Sequence, residues 1–464
     1  MKQIDNRNYK KTKWFLLMLI VFFASCRLND IYKRPAGIVD NKLYRDVNST
    51  DTTNIANIPW KQMFSDSFLQ NLIREGIDNN LDLKIALARM KQAEANLRQS
   101  KAAFYPTLDV TASGPIVNTE KIASTSTLYE ISAGSSWEAD IWGKMRSSKR
   151  AALASFLQSD AYKKAVQTQL VADIATDFYA LLAYDAQLLV TLKTVNNRAL
   201  DVEIMKKLKE SDVVTGAGVV QSEANRYSVE VTIPDLRQNI RVTENALSIL
   251  LGRNPGSIIR DSLSNQQVWK GLKIGVPLQL LANRPDVMEA EYQLRASSEL
   301  TNVARSYFYP SLTITAQGGF ANGNISQLFN PSSLFGNIVG ALTQPVFNHG
   351  LNKQRLEIAK AQQEESLAAF KKAILNAGQE VSNALYNYQA ATDKITIREQ
   401  QISFLQKSVD FTKELLKYTA NTNYTDVLTS EQSLLSAQLS SVSDKVQQLQ
   451  ATIELYRSLG GGWR

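Results

Sequence analysis

The sequence predicts a mostly helical, mixed α/β membrane protein that is built from a tandem repeat and completed by copies of itself. Three observations predict this fold class. The second half of the chain repeats motifs of the first half. Long stretches without glycine or proline carry a seven-residue apolar period, and an export signal precedes short segments in which polar and apolar residues alternate.

The repeat is clearest around two Tyr-Pro pairs, because residues 104–111 read FYPTLDVT and residues 308–315 read FYPSLTIT. Further equivalent positions keep nearly constant spacing: Asp82 with Asp286, Gly143 with Gly350, Val220 with Leu428, and Gly252 with Gly460. Each copy reads as a long helix, a Tyr-Pro pair, alternating strands and two long helices. We predict a signal peptide at 1–25, an anchored N-terminal segment at 26–65, a first repeat at 66–260 and a second repeat at 261–464.

The N-terminus predicts export and lipidation. Five basic residues and one acid within residues 1–13 precede ten apolar residues, Trp14 to Phe23, a length typical of a secretory signal and too short for a transmembrane helix. Phe23-Ala24-Ser25-Cys26 resembles the lipobox of bacterial lipoproteins, and Cys26 is the only cysteine. We predict lipidation of Cys26 over a buried free thiol, and a single cysteine excludes an intramolecular disulfide.

The strands follow the Tyr-Pro pairs. Leu108, Val110 and Ala112 alternate with polar residues in the first copy, and residues 311–317 repeat this pattern. A returning strand alternates well over residues 129–137, whereas residues 334–347 alternate poorly. Four strands of about ten residues suit an outer-membrane barrel but cannot close one, so their edges must pair with neighbouring subunits. The alternative is an ordinary antiparallel sheet with one buried face.

The helices are long and water-exposed. Residues 144–210 contain neither glycine nor proline, which predicts about 100 Å of helix. A seven-residue apolar period indicates packing against a neighbouring helix, and it is present at Leu428, Leu435, Val442, Leu449 and Tyr456. Pro234 interrupts a helical pattern and predicts a kink or break near Ile233.

The composition argues against an enzyme and against nucleic-acid binding. The formal charge of +8 falls to +4 without the signal peptide, and the basic residues are scattered opposite acids. One histidine and one cysteine provide no metal-ligand set and no nucleophile with a base, so we predict no catalytic residue, metal or cofactor. We interpret His349 as a polar loop or strand-end residue. The seven methionines are dispersed, which disfavours a copper-handling methionine track.

Several motifs together resemble the TolC-like outer-membrane factors, in particular the lipoprotein branch that serves resistance-nodulation-division (RND) efflux pumps. The resemblance spans nearly all of the mature chain. It rests on these motifs: Tyr32-Lys33-Arg34-Pro35, Pro59-Trp60, Asn79-Asn80-Leu81-Asp82-Leu83, Trp137-Glu138-Ala139-Asp140-Ile141-Trp142-Gly143, Ile233-Pro234-Asp235-Leu236, Arg284-Pro285-Asp286-Val287 and Leu459-Gly460-Gly461-Gly462-Trp463.

The resemblance implies a homotrimer in the outer membrane of a Gram-negative bacterium. Each chain would give four strands to one transmembrane β-barrel and its long helices to one periplasmic α-barrel. The trimer would be a passive duct for drugs or other small amphiphiles, joined by a periplasmic adaptor (membrane fusion) protein to an inner-membrane RND transporter. Outer-membrane lipid is a further expected partner, and nucleic acid is not.

The resemblance also implies a gate where paired helices end, near residues 211–218 and 418–426. The candidate gate residues are Asp426, Tyr424, Tyr418 and Asp212. Three copies of Asp426 around an axis would form a negative constriction that protonation or a bound cation relieves. The alternative is that Asp426 only caps the following helix. This loop has Asn421 where the family usually has glycine, and asparagine tolerates the same left-handed backbone.

Two other functions stay open at this point. The same tunnel could serve a type I protein-secretion system, although the lipobox and Arg284-Pro285-Asp286 favour the pump branch. A structural coiled-coil surface lipoprotein without a lumen would explain the helices. It would not explain why two Tyr-Pro motifs each start an alternating strand with polar residues on one face.

Overall fold

The computed structural model describes residues 30–40, 43–45, 53–114, 128–267, 274–418 and 424–464. The predicted signal peptide and Cys26 lie outside these residues. The described chain forms two compact units, and each takes segments from both halves of the sequence. Unit 1 contains residues 30–36, 91–158 and 290–369 where described, and unit 2 contains the rest. These units therefore do not coincide with the two repeats, whose boundaries stay a prediction.

Ten α-helices and four strands make up the described fold. The helices are α1 (Trp60–Met63), α2 (Ser67–Asn79), α3 (Leu81–Ala102), α4 (Lys144–Glu210), α5 (Gly216–Glu230), α6 (Thr232–Leu250), α7 (Leu280–Asn283), α8 (Pro285–Ser306), α9 (Leu351–Tyr418) and α10 (Tyr424–Ser458). The strands are β1 (Thr107–Ser113), β2 (Tyr129–Ala139), β3 (Ser311–Asn322) and β4 (Leu334–Thr343). No helix among the described residues is apolar over a stretch long enough to cross a bilayer.

The four strands form one antiparallel sheet in unit 1, in the order β1-β2-β3-β4. Two hairpins supply it, one from each half of the chain, and the central β2–β3 pairing joins them, with Trp137 opposite Ile314. Within the described residues, β1 and β4 each pair on one side only. The sheet therefore has two open edges.

The pairing register keeps one face of the sheet apolar across all four strands. In β3 and β4, Leu312 lies opposite Leu342 and Ala316 opposite Ile338. Ile338 is 79% exposed, so this apolar face is uncovered in the single chain. The opposite face carries mainly serine, threonine, asparagine, glutamine and acidic side chains. Val339 lies on that polar face, which accounts for the poor alternation of β4.

The repeat is visible in the backbone as well as in the sequence. The matched glycines Gly143 and Gly350 have φ values of 75° and 78°, and Gly252 and Gly460 have φ values of 67° and 94°. Gly252 ends a helix in the left-handed conformation, and a Cβ atom there would lie 2.5 Å from the Asn79 carbonyl oxygen. Both glycines follow helix ends, Gly252 after α6 and Gly460 after α10.

Pro234 lies in the first turn of α6, and the helical path breaks at Val231, between α5 and α6. The break comes two residues before the predicted position. The reason is that a proline ring clashes with the carbonyl group four residues earlier, which here belongs to Glu230, the last residue of α5.

Unit 2 is held together around a buried arginine. Arg284 is 4% exposed, and its guanidinium donates to both carboxylate oxygens of Asp286 (3.0 and 2.6 Å), to Glu380 (3.0 Å) and to the Ser458 carbonyl (2.8 Å). It thereby joins the start of α8 to α9 and to the end of α10. The Arg284-Pro285-Asp286 motif thus has a structural role, because its charge is fully compensated.

Unit 1 fixes the start of the described chain against α8. The buried Asn302 side chain donates to the Asp30 carbonyl at 2.8 Å, and Arg305 pairs with the Asp30 carboxylate at 3.0 Å. Four residues later, Arg34 donates two 2.7 Å hydrogen bonds to Glu291. The segment that follows the predicted lipidation site is therefore held at two points of one helix.

Tryptophan side chains brace the starts of β1 and β3. The Trp137 indole donates to the Phe104 carbonyl at 3.0 Å in the first copy. At the start of β3, the Trp142 indole donates to the Pro310 carbonyl at 2.7 Å, and its ring packs on Tyr309 with 4.9 Å between ring centroids. Rigid aromatic groups therefore mark the end of the sheet at which the Tyr-Pro motifs lie.

Candidate functional site

The predicted gate region lies in unit 2, where α4 turns into α5 and α9 is followed by α10. The first turn is residues 211–215, and the second, residues 419–423, lies outside the described residues. The Tyr418 side chain is also not described, so its assignment to the gate stays a prediction. Tyr424, Asp426 and Asp212 are described.

Tyr424 joins the two helix pairs. It is the first residue of α10, and its hydroxyl donates to the Ser222 hydroxyl of α5 at 3.0 Å. Burial raises the pKa of Tyr424, with a smaller contribution from the nearby carboxylates Asp201 and Glu431. The phenol therefore stays protonated and remains a hydrogen-bond donor at physiological pH.

Asp426 lies in the first turn of α10 and is exposed. The helix already begins at Tyr424, so Asp426 does not precede it as a capping residue would. Its carboxylate still sits at the helix N-terminal turn, where negative charge is favourable. This position is compatible with a stabilising role and with a role in a constriction.

Asp212 ends α4. It adopts a left-handed backbone with φ 57°, its N–H donates to the Lys209 carbonyl at 3.0 Å, and the N–H of Val213 donates to the Leu208 carbonyl at 2.9 Å. This pair of bonds is the Schellman arrangement that terminates many helices. Asp212 is exposed, and its backbone hydrogen bond is that of a helix end. Its role in the gate stays a prediction.

Sequence reasoning missed a buried ionic cluster deeper in the same four helices. The Lys413 ammonium of α9 lies 3.2 Å from the Asp201 carboxylate of α4 and 2.5 Å from the Glu431 carboxylate of α10. The carboxylate side chains of Asp201 and Glu431 are 10% and 11% exposed. One lysine thus joins three helices.

A buried arginine extends this cluster to the fourth helix. Arg198 of α4 is 3% exposed and donates to the Asn225 carbonyl of α5 at 2.7 Å and to the Gln432 side chain of α10 at 2.8 Å. With Tyr424 bonded to Ser222, these contacts join α4, α5, α9 and α10 to one another. We call Arg198, Asp201, Lys413, Tyr424 and Glu431 the helix-end cluster.

Protonation within the helix-end cluster follows from burial. Burial raises the pKa of Glu431, and the neighbouring Asp201 carboxylate adds to this effect. Burial alone would lower the pKa of Lys413, but its bonds to Glu431 and Asp201 outweigh burial and raise it. One oxygen of Asp201, Oδ2, is buried without a hydrogen-bond donor. Lys413 is therefore charged at neutral pH, while Glu431 is the group that is easiest to protonate.

The arrangement holds four helix segments in one position relative to one another. Breaking a buried ion pair by removing one partner leaves an uncompensated charge, so the cluster favours one arrangement of the helices. The residues of the cluster come from positions 198 to 431. The only sign of the cluster in the local sequence is a charged side chain beside an apolar seam, such as Glu431 between Leu428 and Leu435.

The described residues contain no group of three or more histidine, cysteine, aspartate or glutamate side chains that could hold a metal ion.

Comparison with known proteins identifies relatives along nearly the whole chain. The model of the family described as "Outer membrane efflux protein" matches residues 72–253 and again 276–461. Two matches in tandem agree with the repeat read from the sequence, and together they cover well over half of the chain.

Three curated relatives match almost end to end. The cation efflux system protein CusC of Escherichia coli O6:H1 is 30% identical over 454 residues, which are 95% of this chain and 96% of CusC. The probable outer membrane lipoprotein SilC of Salmonella typhimurium is 28% identical, with 98% and 99% covered. The toluene efflux pump outer membrane protein TtgC of Pseudomonas putida is 27% identical, with 97% and 96% covered.

The fold has been seen in a solved structure. A crystal structure of CusC matches with a TM-score of 0.84 and 27% identity, covering 94% of this chain and all of that chain. The match confirms the fold class predicted from the sequence.

Proposed function

The chain belongs to the outer membrane efflux protein family, and we propose that it is the outer-membrane duct of a tripartite efflux system. In this proposal a periplasmic adaptor protein links the duct to an inner-membrane RND transporter, which supplies the energy. The duct itself is passive. Membership of the family makes the chain an outer-membrane efflux channel component. That it works with an adaptor and an RND transporter is part of what we propose.

One observation supports the proposal of a duct. The sheet has an uncovered apolar face, a polar face and two open edges. An apolar exposed face such as that around Ile338 needs lipid, and the polar face needs water. The open edges of β1 and β4 need partner strands. Three copies, each giving four strands, satisfy all of these needs at once and enclose a wet passage, so we propose a homotrimer.

The helix-end cluster supports a gate in this duct. Its bonds restrain the ends of the four long helix segments, so the passage opens when these segments separate. Asp426 and Tyr424 lie at the start of α10, beside the turn where the passage would be narrowest. We propose that the cluster sets the resting position and that Asp426 sets the charge of the constriction.

The test is conductance of the purified full-length protein in planar lipid bilayers. The wild type should insert and conduct weakly. Asp426→Ala should raise the conductance and weaken its dependence on divalent cations, because a ring of carboxylates no longer binds cations there. The matched control is Asp410→Ala, which removes an exposed carboxylate from α9.

Failure of the wild type to form any conducting pore would overturn the duct. Equal conductance of Asp426→Ala, Asp410→Ala and wild type would remove Asp426 from the gate but would leave the duct in place.

We propose drugs and other small amphiphiles as cargo, with metal cations as the second candidate. The names of TtgC and CusC support one class each, toluene for TtgC and cations for CusC. The genes beside this one provide the test, because an adaptor gene and an RND transporter gene favour efflux. A protein-exporting ATPase gene in their place would favour the type I secretion alternative.

A further inference from the structure

We propose that α9 of one copy packs against α5 and α6 of the next copy, through an exposed apolar stripe on each side and an ion pair between Asp393 and Arg241. This inference rests on the proposed homotrimer and names the helical surface through which its subunits meet. The sheet of unit 1 supports that homotrimer, whereas this surface lies wholly in unit 2.

One face of α9 carries large apolar side chains that the single chain leaves exposed. Each is between 64% and 76% exposed, and they are Leu375, Tyr386, Ile397, Phe404 and Phe411. They follow one another at intervals of eleven or seven residues, so on a helix with 3.6 residues per turn they lie within about 40° of one another. We call this row the α9 stripe, and at 1.5 Å per residue it is about 54 Å long.

The α9 stripe lies opposite the face that α9 buries in its own chain. Ala377, Ala384, Ala391 and Val409 are buried, and helical spacing places them about 140–180° from the stripe. The buried side of α9 meets α10, to which Arg398 is bonded. A helix that is apolar on two opposite faces is suited to lie between two neighbours, and the structure of one chain supplies only one of them.

The helical path of α5 and α6 carries a matching stripe. Its side chains are between 56% and 69% exposed, and they are Val220, Tyr227, Val231, Val242 and Ile249. They lie within about 60° of one another and extend over about 44 Å. We call this row the α5–α6 stripe. The two stripes are similar in length and in apolar character.

The other two long helices offer no comparable surface. The described residues of α10 include no exposed large apolar side chain. On α4, the exposed apolar row from Leu189 to Ile204 is only about 22 Å long and is interrupted by Lys193 and Asn196. Of the helices in unit 2, α5 and α6 therefore match the α9 stripe best.

Contacts within one chain fix the relative levels of the two stripes along the helices. Arg398 of α9 and Leu236 of α6 line one cavity between the helices. Nearer the helix ends, the helix-end cluster links Lys413 of α9 and Asn225 of α5 to adjacent turns of α4. Residue numbers thus rise along α9 where they fall along α5 and α6, so the two stripes run antiparallel.

The same levels apply between subunits. A rotation axis that runs along the helices moves a neighbouring copy around the axis but leaves each residue at its own level. Counted from Arg398 and Leu236, Phe404 lies within one residue of the level of Val231. In the other direction, Tyr386 lies within one residue of the level of Ile249. The apolar side chains of the two stripes therefore meet.

Opposite charges also meet at one level. Asp393 lies on the α9 stripe, and its level on α6 is that of Arg241, beside Val242. Both residues are exposed, and neither forms an ion pair with any residue that the structure describes. Gln389 donates to Asp393 at 3.0 Å and holds its carboxylate in place. An ion pair of this kind fixes the register of an interface more than its strength.

The contact closes a ring because it joins different surfaces. The α5–α6 stripe comes from the first half of the chain and the α9 stripe from the second, so each copy can meet one neighbour through each stripe. The edges of the sheet follow the same rule, since β1 comes from the first half and β4 from the second.

The experiment cross-links full-length protein purified in detergent without any partner protein. The double variant Val231→Cys with Phe404→Cys is treated with a short bis-maleimide and analysed by denaturing electrophoresis. Covalent dimers and trimers should form. The matched control pairs Val231→Cys with Gln406→Cys, because Gln406 is exposed but lies two residues from Phe404, about 200° around the helix. This control and each single variant should remain monomeric on the gel.

A second measurement tests the ion pair. Asp393→Arg should lower the temperature at which the assembly dissociates, because it places two cations opposite each other. Adding Arg241→Asp to this variant should restore most of the loss. Asp410→Arg reverses an exposed carboxylate of α9 about 120° from the stripe and should dissociate as the wild type does.

Four outcomes would overturn all or part of the proposal. A heat-modifiable wild-type trimer whose Val231→Cys, Phe404→Cys variant gives no cross-link would exclude this helical surface, leave the duct in place and free the α9 stripe for a helix of another protein. Equal cross-linking of the Gln406→Cys control would reduce the effect to random collision. Failure of Arg241→Asp to rescue Asp393→Arg would remove the ion pair. A wild type that never assembles would overturn the homotrimer together with this surface.

Discussion

At the scale of single residues, the helix-end cluster depends on Lys413 and its two carboxylates. Both Asp201 and Glu431 are buried, and a single ammonium serves them. When both are ionised, they repel each other, and Lys413 compensates only one charge in full. Glu431 is the member whose protonation relieves this repulsion, since burial and Asp201 both raise its pKa.

The raised pKa of Glu431 determines how the stability of the protein should depend on pH. A carboxyl whose pKa is raised by folding contributes stability that is fully present below its ordinary pKa of 4.5 and is lost as pH rises through the raised value. The wild-type assembly should therefore become less resistant to heat as pH increases across this window. Glu431→Gln stays neutral, so its dissociation temperature should change less over the same window. The measurement is heat dissociation at constant ionic strength between pH 4.5 and 7.5.

The control for this prediction is Glu414→Gln, because Glu414 is an exposed carboxylate one residue from Lys413. It should follow the wild-type curve. Parallel curves for wild type and Glu431→Gln would contradict the assignment.

Part of the candidate site was predictable from the sequence and part was not. Tyr424 and Asp426 belong to a motif that can be recognised in the sequence through its resemblance to the family. The structure places both residues at the start of α10. The partners of Lys413 lie on two other helices, one of them more than 200 residues away. Which faces of these helices meet depends on their packing register, which no local pattern encodes.

At the scale of elements, the matched glycines Gly252 and Gly460 each follow the end of a helix. The end of α6 is an example: Gly252 turns the chain with a positive φ while Asn80 donates to the Leu250 carbonyl at 2.9 Å. The glycine is needed on two grounds, its backbone angle and the closeness of the Asn79 carbonyl.

Gly252→Ala should therefore destabilise unit 2 by about 2–3 kcal/mol, from a strained left-handed alanine and a displaced carbonyl. The dissociation or unfolding temperature of the purified protein should fall by several degrees. Gly256→Ala provides the comparison, because a Cβ atom there meets only the Asn254 oxygen at 3.9 Å. If both variants melted alike, the close approach at Gly252 would not matter energetically.

The long helices and the strands could be predicted because their signals are local. Residues 144–210 lack glycine and proline, and the structure has one helix over that range. The strand β4 was harder to assign, because Val339 places an apolar side chain on the polar face. Pairing with β3 and the continuous apolar row of the other face determine its register, and both are non-local.

At the scale of the whole molecule, the sheet is the part of the fold whose faces and edges a single chain leaves uncovered and unpaired within the described residues. Its apolar face, two edges and polar face each require a different environment, and no described part of the chain supplies all three. Assembly of copies within a membrane supplies them together. The number of strands and their polar and apolar alternation are enough to predict this need for neighbouring copies.

The two faces of β4 permit a direct comparison. Ile338→Lys places a charge on the apolar face and should cost about 2–4 kcal/mol within the hydrocarbon layer. Asn337→Lys, one residue away on the polar face, should be tolerated. Semi-native electrophoresis of membrane extracts, with and without heating, measures the heat-modifiable assembly. The reverse order of the two variants would show that the faces have been assigned wrongly.

The hydrogen bonds of Asn302 and Arg305 to Asp30 limit how far a lipid anchor on Cys26 could lie from α8. Cys26 lies four positions before Asp30, so a lipidated cysteine could reach at most roughly 14 Å from this point. Fatty acyl chains attached at so short a distance would enter the bilayer beside α8 of their own subunit. The modification would then fix the position of each subunit in the membrane rather than merely keep it near the membrane.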